Sequence, residues 1–194
     1  MSRARFERFA ALGDSLSAGA EGDPSVPWPE HAARALAGDG GELAFRNFAA
    51  AGATSTDVAI WQLRQAVEFR PDLISLICGA NDALLWVRPD PEVFTAVFDG
   101  IVDSLRRRLP DALIVTATYP RIERGIEAIN VAIREIAARR DLVCLEWAGH
   151  PGVDDPENFA CDRFHPSAEG HRRVAAAFAE GLAAETGAAA PESA

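Results

Sequence analysis

Residues 9 to 19 read FAALGDSLSAG. Phe9, Ala10, Ala11 and Leu12 form a short apolar run with no polar interruption, the pattern of a strand covered on both faces. The run stops abruptly at Gly13-Asp14-Ser15. A glycine there lets the backbone turn sharply, and a carboxylate and a hydroxyl are then held out side by side.

The same rhythm repeats along the chain. Apolar runs at Leu43–Phe48, Leu73–Ile77, Leu113–Thr118 and Leu142–Trp147 read as four more strands. Between them, helical periodicity covers Pro29–Ala37, Thr56–Phe69, Pro91–Leu109, Ile126–Arg140 and Ala168–Glu185. Alternating strands and helices predict parallel pairing through right-handed crossovers, and so an α/β fold built as a three-layer α/β/α sandwich. The helix ends agree. Arg106-Arg107-Arg108 and Arg139-Arg140 close two helical runs, where positive charge offsets the negative end of the dipole, and Ser167 is an N-cap for the last one. With no internal repeat or linker, residues 1–186 are expected to form one domain, and residues 187–194 a small, polar, frayed tail.

Composition removes several classes of function. The 194 residues carry a formal charge of -10, which disfavours nucleic acid and anionic membrane surfaces as partners. All 19 basic residues are Arg. Without a Lys there is neither a P-loop nor Schiff-base chemistry. The three cysteines, Cys78, Cys144 and Cys161, do not make a disulfide framework, and a reducing compartment is expected. Arg3, Arg5 and Arg8 precede an apolar run too short for a signal-peptide core, and no stretch is apolar enough to span a bilayer, so the expectation is a soluble, cytoplasmic protein.

In open parallel sheets, ligands bind beyond the carboxyl ends of the strands. The first strand ends in Gly13-Asp14-Ser15, and the second leads through Asn47 to Gly52-Ala53-Thr54-Ser55. The third ends in Cys78-Gly79-Ala80-Asn81-Asp82, and the fourth in Tyr119-Pro120-Arg121. The fifth leads past His150 to Asp162-Arg163-Phe164-His165. One edge of the sheet thus collects the parts of a serine acyl-transfer site. Ser15 is the candidate nucleophile and His165 the base that takes its proton. Asp162 orients the imidazole if the intervening residues make a helix-like turn. The amides of Ser15 and Gly52 and the side-chain NH2 of Asn81 are the candidate oxyanion hole. Gly79, like Gly52, is expected to bring bare backbone close to substrate. Asp14 and Asp82 are expected to bond to loop amides. Trp86 is the best candidate to line the pocket; His150 reads as a loop residue near its mouth, with a substrate contact the lesser alternative, and His31, His171, Trp28, Trp61, Trp147, Cys78 and Cys161 read as packing or rim residues. No Cys-x-x-Cys or His-Glu-x-x-His spacing suggests a metal. The rival serine-esterase fold needs Gly-x-Ser-x-Gly, and Ser17 occupies the place of its second glycine.

Taken together, the blocks GDS (Ser15), NFAAAGATS (Gly52), GAND (Asn81) and DRFH (Asp162, His165) resemble the SGNH, or GDSL, hydrolase family, in the right order from Phe9 to about Glu180. The resemblance implies a flavodoxin-like sheet of five parallel strands. It also implies Ser/Asp/His catalysis without metal or other cofactor, acting on small-molecule carboxylic esters of short or medium acyl chain. An acyltransferase using the same site and a non-catalytic binding module are the alternatives. In the family, the regions corresponding to Tyr119–Gly125 and Ala148–Cys161 shape the pocket; both are short here, and a shallow, open site is expected.

Overall fold

A computed structural model describes residues 6–20, 25–38, 41–84, 90–120 and 125–187. The expectations for Arg3, Arg5, Trp86, Arg121 and tail residues 188–194 fall outside these segments. Five strands form one sheet: β1 (Arg8–Gly13), β2 (Ala44–Asn47), β3 (Leu73–Ile77), β4 (Leu113–Ala117) and β5 (Val143–Leu145). Every pairing is parallel, and the order is β2-β1-β3-β4-β5. This is the flavodoxin-like order, with its switch point between β1 and β3. In register, Gly13 stands opposite Ile77, so Ser15 lies just past the crevice where such sheets bind ligands.

Helices cover the sheet. They are α1 (Ser15–Ala18), α2 (Trp28–Ala37), α3 (Ser55–Asp57), α4 (Leu63–Phe69), α5 (Ala80–Leu84), α6 (Pro91–Arg108), α7 (Ile126–Arg140) and α8 (Ala168–Thr186). α2 packs against α8, and α6 against α7. Residues of β1, β3 and β4 are almost wholly buried, as their unbroken apolar runs require. The Phe9 and Phe178 rings stack at 5.8 Å, while Trp28 meets Phe178 at 4.9 Å and Trp147 edge-on at 5.5 Å. On the opposite flank, Asp99 of α6 bonds to Arg139 and Arg140 of α7 at 2.9 and 2.7 Å. Hydrogen bonding by Arg140 holds its carboxyl down at about 2. Among the described residues, no helix is long and apolar enough to cross a membrane.

The structure departs from the sequence reading in one long helix. Instead of a single α-helix over 56–69, α3 and α4 are joined by a π-helical turn, Val58–Gln62. The Leu63 amide bonds to Val58 O, five residues back, which inserts one more residue than an α-helical turn holds. The turn leaves Ile60 and Trp61 exposed and Gln62 buried. The Gln62 carboxamide then clasps the end of β1 from both sides. Its Oε1 accepts from Gly13 N at 2.8 Å and its Nε2 donates to Gly13 O at 2.9 Å. Gly13 itself has φ +149°, and a Cβ there would lie 1.9 Å from Ile77 O. No side chain fits between β1 and β3 at this point without forcing the strands apart.

Candidate active site

Ser15 opens α1 directly after β1 and is 6 % exposed. Asp14 caps α1: its Oδ1 accepts from Leu16 N at 3.0 Å. Around it, Asp14 N donates to Ile77 O at 3.3 Å and Ala50 N to Gly13 O at 3.1 Å. The nucleophile candidate therefore stands on a turn stitched to β3 and to the loop after β2.

The base candidate comes from the loop before α8. Phe159 and Pro166 form an isolated antiparallel bridge, and Ala160 N donates to His165 O at 2.8 Å. Within this small loop, Asp162 Oδ1 accepts from both Phe164 N (2.9 Å) and His165 N (3.0 Å). This is an Asx-type turn, with Arg163 in the left-handed region at φ +57°. The helix-like turn expected between Asp162 and His165 is not what forms. The left-handed residue frees Asp162 Oδ2 to reach the ring at 2.7 Å from His165 Nδ1. The other ring nitrogen, Nε2, lies 2.9 Å from Ser15 Oγ. Burial pushes the Asp162 carboxyl up, but the hydrogen bonds from the His165 ring and the two amides outweigh it and leave it below its ordinary range.

The oxyanion candidates come from the ends of two further strands, and neither Gly52 nor Asn81 is among the residues that line the cavity at the Ser15 hydroxyl. Gly52 takes φ +78° with open space around its α-carbon, a conformation a side chain would strain. Asn81 Nδ2 donates to Ala53 O at 2.9 Å, which seats the carboxamide against the Gly52 loop and leaves its second N–H uncommitted. Asp82 fixes the far side of that loop, accepting from Ser55 N at 2.8 Å and Ser55 Oγ at 2.5 Å. Among the described residues, the amides of Ser15 and Gly52 donate to no protein acceptor.

Asp14, Ser15, Leu16, Ala80, Tyr119, Phe164, His165 and Pro166 line a small cavity at the hydroxyl. The expectation of a shallow, open site rests in part on residues 121–124, which lie outside the described segments. Gly79 does not face substrate: a Cβ would meet Ile129 at 2.7 Å and Phe94 at 2.8 Å, so it lets β3 end against α6 and α7. His150 uses its Nδ1 to accept from Gly152 N at 3.1 Å and does not line the cavity. His171 is buried against α2, accepting from Trp28 N at 3.3 Å. The three cysteines are free thiols, and among the described residues no three His, Cys, Asp or Glu cluster as metal ligands would.

Two contributors had no reading from sequence. Gln62 lies inside a helical pattern with no mark to set it apart. Tyr119, the one tyrosine of the chain, follows an apolar strand directly, and that was the available signal.

The model of the GDSL-like lipase/acylhydrolase family matches residues 11–173, from inside β1 through the DRFH block. The chain belongs to this family. GDSL-like membership makes it an ester hydrolase by class. No functionally curated protein matches it in sequence. Several solved structures share its fold. An acetylxylan esterase from Geobacillus stearothermophilus, Axe2, superposes with a TM-score of 0.77 at 18 % identity, covering 91 % of this chain and 94 % of its own. A carbohydrate esterase family 3 protein from Talaromyces cellulolyticus gives 0.76 at 16 % identity, with 92 % and 97 % covered. LAE5, described as an alpha/beta hydrolase enzyme from the metagenome of Lake Arreo, gives 0.73 at 20 % identity, with 90 % and 94 % covered.

Proposed function

We propose that this GDSL-like hydrolase cleaves small carboxylic esters through an acyl-enzyme on Ser15, with His165 as general base and acid and Asp162 as its orienting partner. One observation carries the reading: an unbroken relay from Ser15 Oγ to His165 Nε2 (2.9 Å) and from His165 Nδ1 to Asp162 Oδ2 (2.7 Å). The bond to an ionised Asp162 favours the tautomer with its proton on Nδ1, leaving Nε2 free to accept. His165 takes the hydroxyl proton as Ser15 Oγ adds to the ester carbon. The negative charge on the carbonyl oxygen is met by the Ser15 and Gly52 amides and the free N–H of Asn81. When the bond to the alcohol breaks, His165 returns the proton to the leaving oxygen. A water, deprotonated by His165 in turn, attacks the acyl-enzyme and releases the acid and the Ser15 hydroxyl.

The reading extends to the short end of the acyl range, acetyl before butyryl. The acetylxylan esterase of the same fold acts on a substrate of that kind, which supports the same preference. Free thiols at Cys78, Cys144 and Cys161 fit a reducing compartment. The test is pre-steady-state hydrolysis of 4-nitrophenyl acetate with fluorophosphonate labelling. The wild type should release a burst of one nitrophenolate per active site and label on Ser15. Ser15→Ala should lower kcat/KM by at least about 10⁴-fold and abolish both. Retained turnover in that variant removes the reading.

A further inference from the structure

The buried carboxylate beside the nucleophile has no part in this mechanism. Asp14 is 1 % exposed, yet its surroundings are set up for a charge. Its Oδ1 accepts from Leu16 N at 3.0 Å and its Oδ2 from the Tyr119 hydroxyl at 2.6 Å, and the Ala80 amide also faces it. Each presents an N–H or O–H to it, and of the three only the phenol could also accept. Tyr119 is buried as well, and its peptide is gripped by Asn130 of α7. Asn130 Oδ1 accepts from Tyr119 N at 2.7 Å, and its Nδ2 donates to Tyr119 O at 2.9 Å. The phenol therefore reaches Asp14 from a fixed base. Ala80 begins the helix that carries Asn81. A single carboxylate thus joins the turn of Ser15, the turn of Asn81 and the end of β4.

We propose that Asp14 and Tyr119 are a positioning pair, and that the ionised form of Asp14 is what holds Ser15 in line with His165. The inference rests on the reading of Ser15 as nucleophile. While charged, the carboxylate accepts from Leu16 N and from the phenol, and the phenol proton has its acceptor. A proton placed on Asp14 can be donated to the Tyr119 oxygen only if the phenol turns its own proton away, and among the described residues Asp14 is the one acceptor that hydroxyl bonds to, so protonation costs the pair a hydrogen bond and the nucleophile turn loosens.

The groups facing Asp14 decide where that happens. They are Asp82 on α5, Cys78 after β3, Tyr119 after β4 and His165 across the cavity. Burial drives both the Cys78 thiol and the Tyr119 hydroxyl well above their ordinary ranges, so they stay neutral. For Asp14 itself, burial raises the carboxyl, the bonds from Tyr119, Leu16 and Ala80 lower it, and the charge of Asp82 raises it, leaving it at about 6. Removing the phenol hydroxyl removes the foremost lowering contribution and must move this ionisation upward.

The test is kcat/KM for 4-nitrophenyl acetate from pH 4.5 to 9 in the wild type, Tyr119→Phe and Asp14→Asn. Active sites are counted by burst titration and folding is checked by thermal melting at each pH. In Tyr119→Phe the acid limb should move up by about 0.5–1 pH unit, with a loss of less than about tenfold at the alkaline plateau. In Asp14→Asn the plateau should fall by about 10²-fold, and the limb should keep only one ionisation where the wild type shows two. Limbs that superimpose on the wild type after scaling overturn the pair, because a purely structural role lowers the plateau without moving the limb. If Asp14→Asn does not fold, Tyr119→Phe decides alone. Turnover persisting in Ser15→Ala would instead remove the nucleophile reading, an outcome that leaves a different signature.

Discussion

Asp14 and Asp162 each stand next to a member of the proposed relay, one beside Ser15 and the other three residues before His165, but they occupy opposite settings. Asp14 is sealed in the core, and burial pushes its carboxyl up to about 6. The Asp162 side chain is 47 % exposed, and its hydrogen bonds leave its carboxyl below the ordinary range. The turns around them are built differently too. The nucleophile turn is held by residues distant in sequence: Gln62, Ile77, Ala50 and Tyr119. The base turn is held almost wholly by bonds within residues 158–167. The position of the Ser15 hydroxyl is therefore a property of the whole core, whereas that of the His165 imidazole belongs to one local loop docked at the start of α8.

This contrast can be broken by separating activity from stability. His165→Ala should cost the most in rate, at least about 10³–10⁴-fold in kcat/KM, while the melting temperature moves by no more than about 2 °C. Steady-state kinetics beside calorimetry measures both, and a large drop in melting temperature would mean that the base turn is not local after all. Gln62→Ala should do the reverse. It leaves the buried Gly13 amide without a partner and empties a buried side-chain volume, at a cost of about 2–4 kcal/mol in denaturant unfolding. A loss below about 1 kcal/mol would show that the clasp on β1 does not hold the nucleophile turn.

The smallest effect sharpens the local side of the contrast. Ser167 Oγ accepts from Gly170 N and donates to Asn158 O, both at 3.1 Å, capping α8 and anchoring the base loop together. Ser167→Ala should cost about 1 kcal/mol of stability. The rate should change by less than about threefold, read from the same two assays. A rate loss far beyond that would place the loop's precision in its cap rather than in the Asx-type turn of Asp162.

Much of this was legible before any coordinates. The strand at Leu73–Ile77 and the helix at Ile126–Arg140 have the bounds that periodicity predicts, because their apolar patterns are unbroken and their ends carry clear stop signals. That Ser15, Gly52 and Asn81 belong to one sheet edge follows from parallel topology, since every strand ends on the same side, whereas Asp162 and His165 come from the loop before α8, whose path the strand pattern does not set. What was hidden is what local pattern does not encode. The 3.6-residue periodicity runs through the π-helical turn, so Gln62 looked like any helix residue. The Tyr119–Asp14 bond spans 105 positions and leaves no trace in either neighbourhood. The turn at Asp162 needed a left-handed arginine, a conformation that side-chain type does not announce.

The surplus residue at Val58–Gln62 also bears on how this chain tolerates changes of length. The helical segment around it is pinned at both extremities, at Ser55 by Asp82 and at Arg70 by a left-handed cap whose amide bonds to Ala66 and Val67. A one-residue deletion between Gln62 and Arg70 that relaxed the widened turn to ordinary helix would swing Gln62 by about 100° around the axis. The apolar seam against the sheet would survive, but the end of β1 would lose its grip. Spacing in that stretch matters because it delivers the Gln62 carboxamide to the end of the first strand.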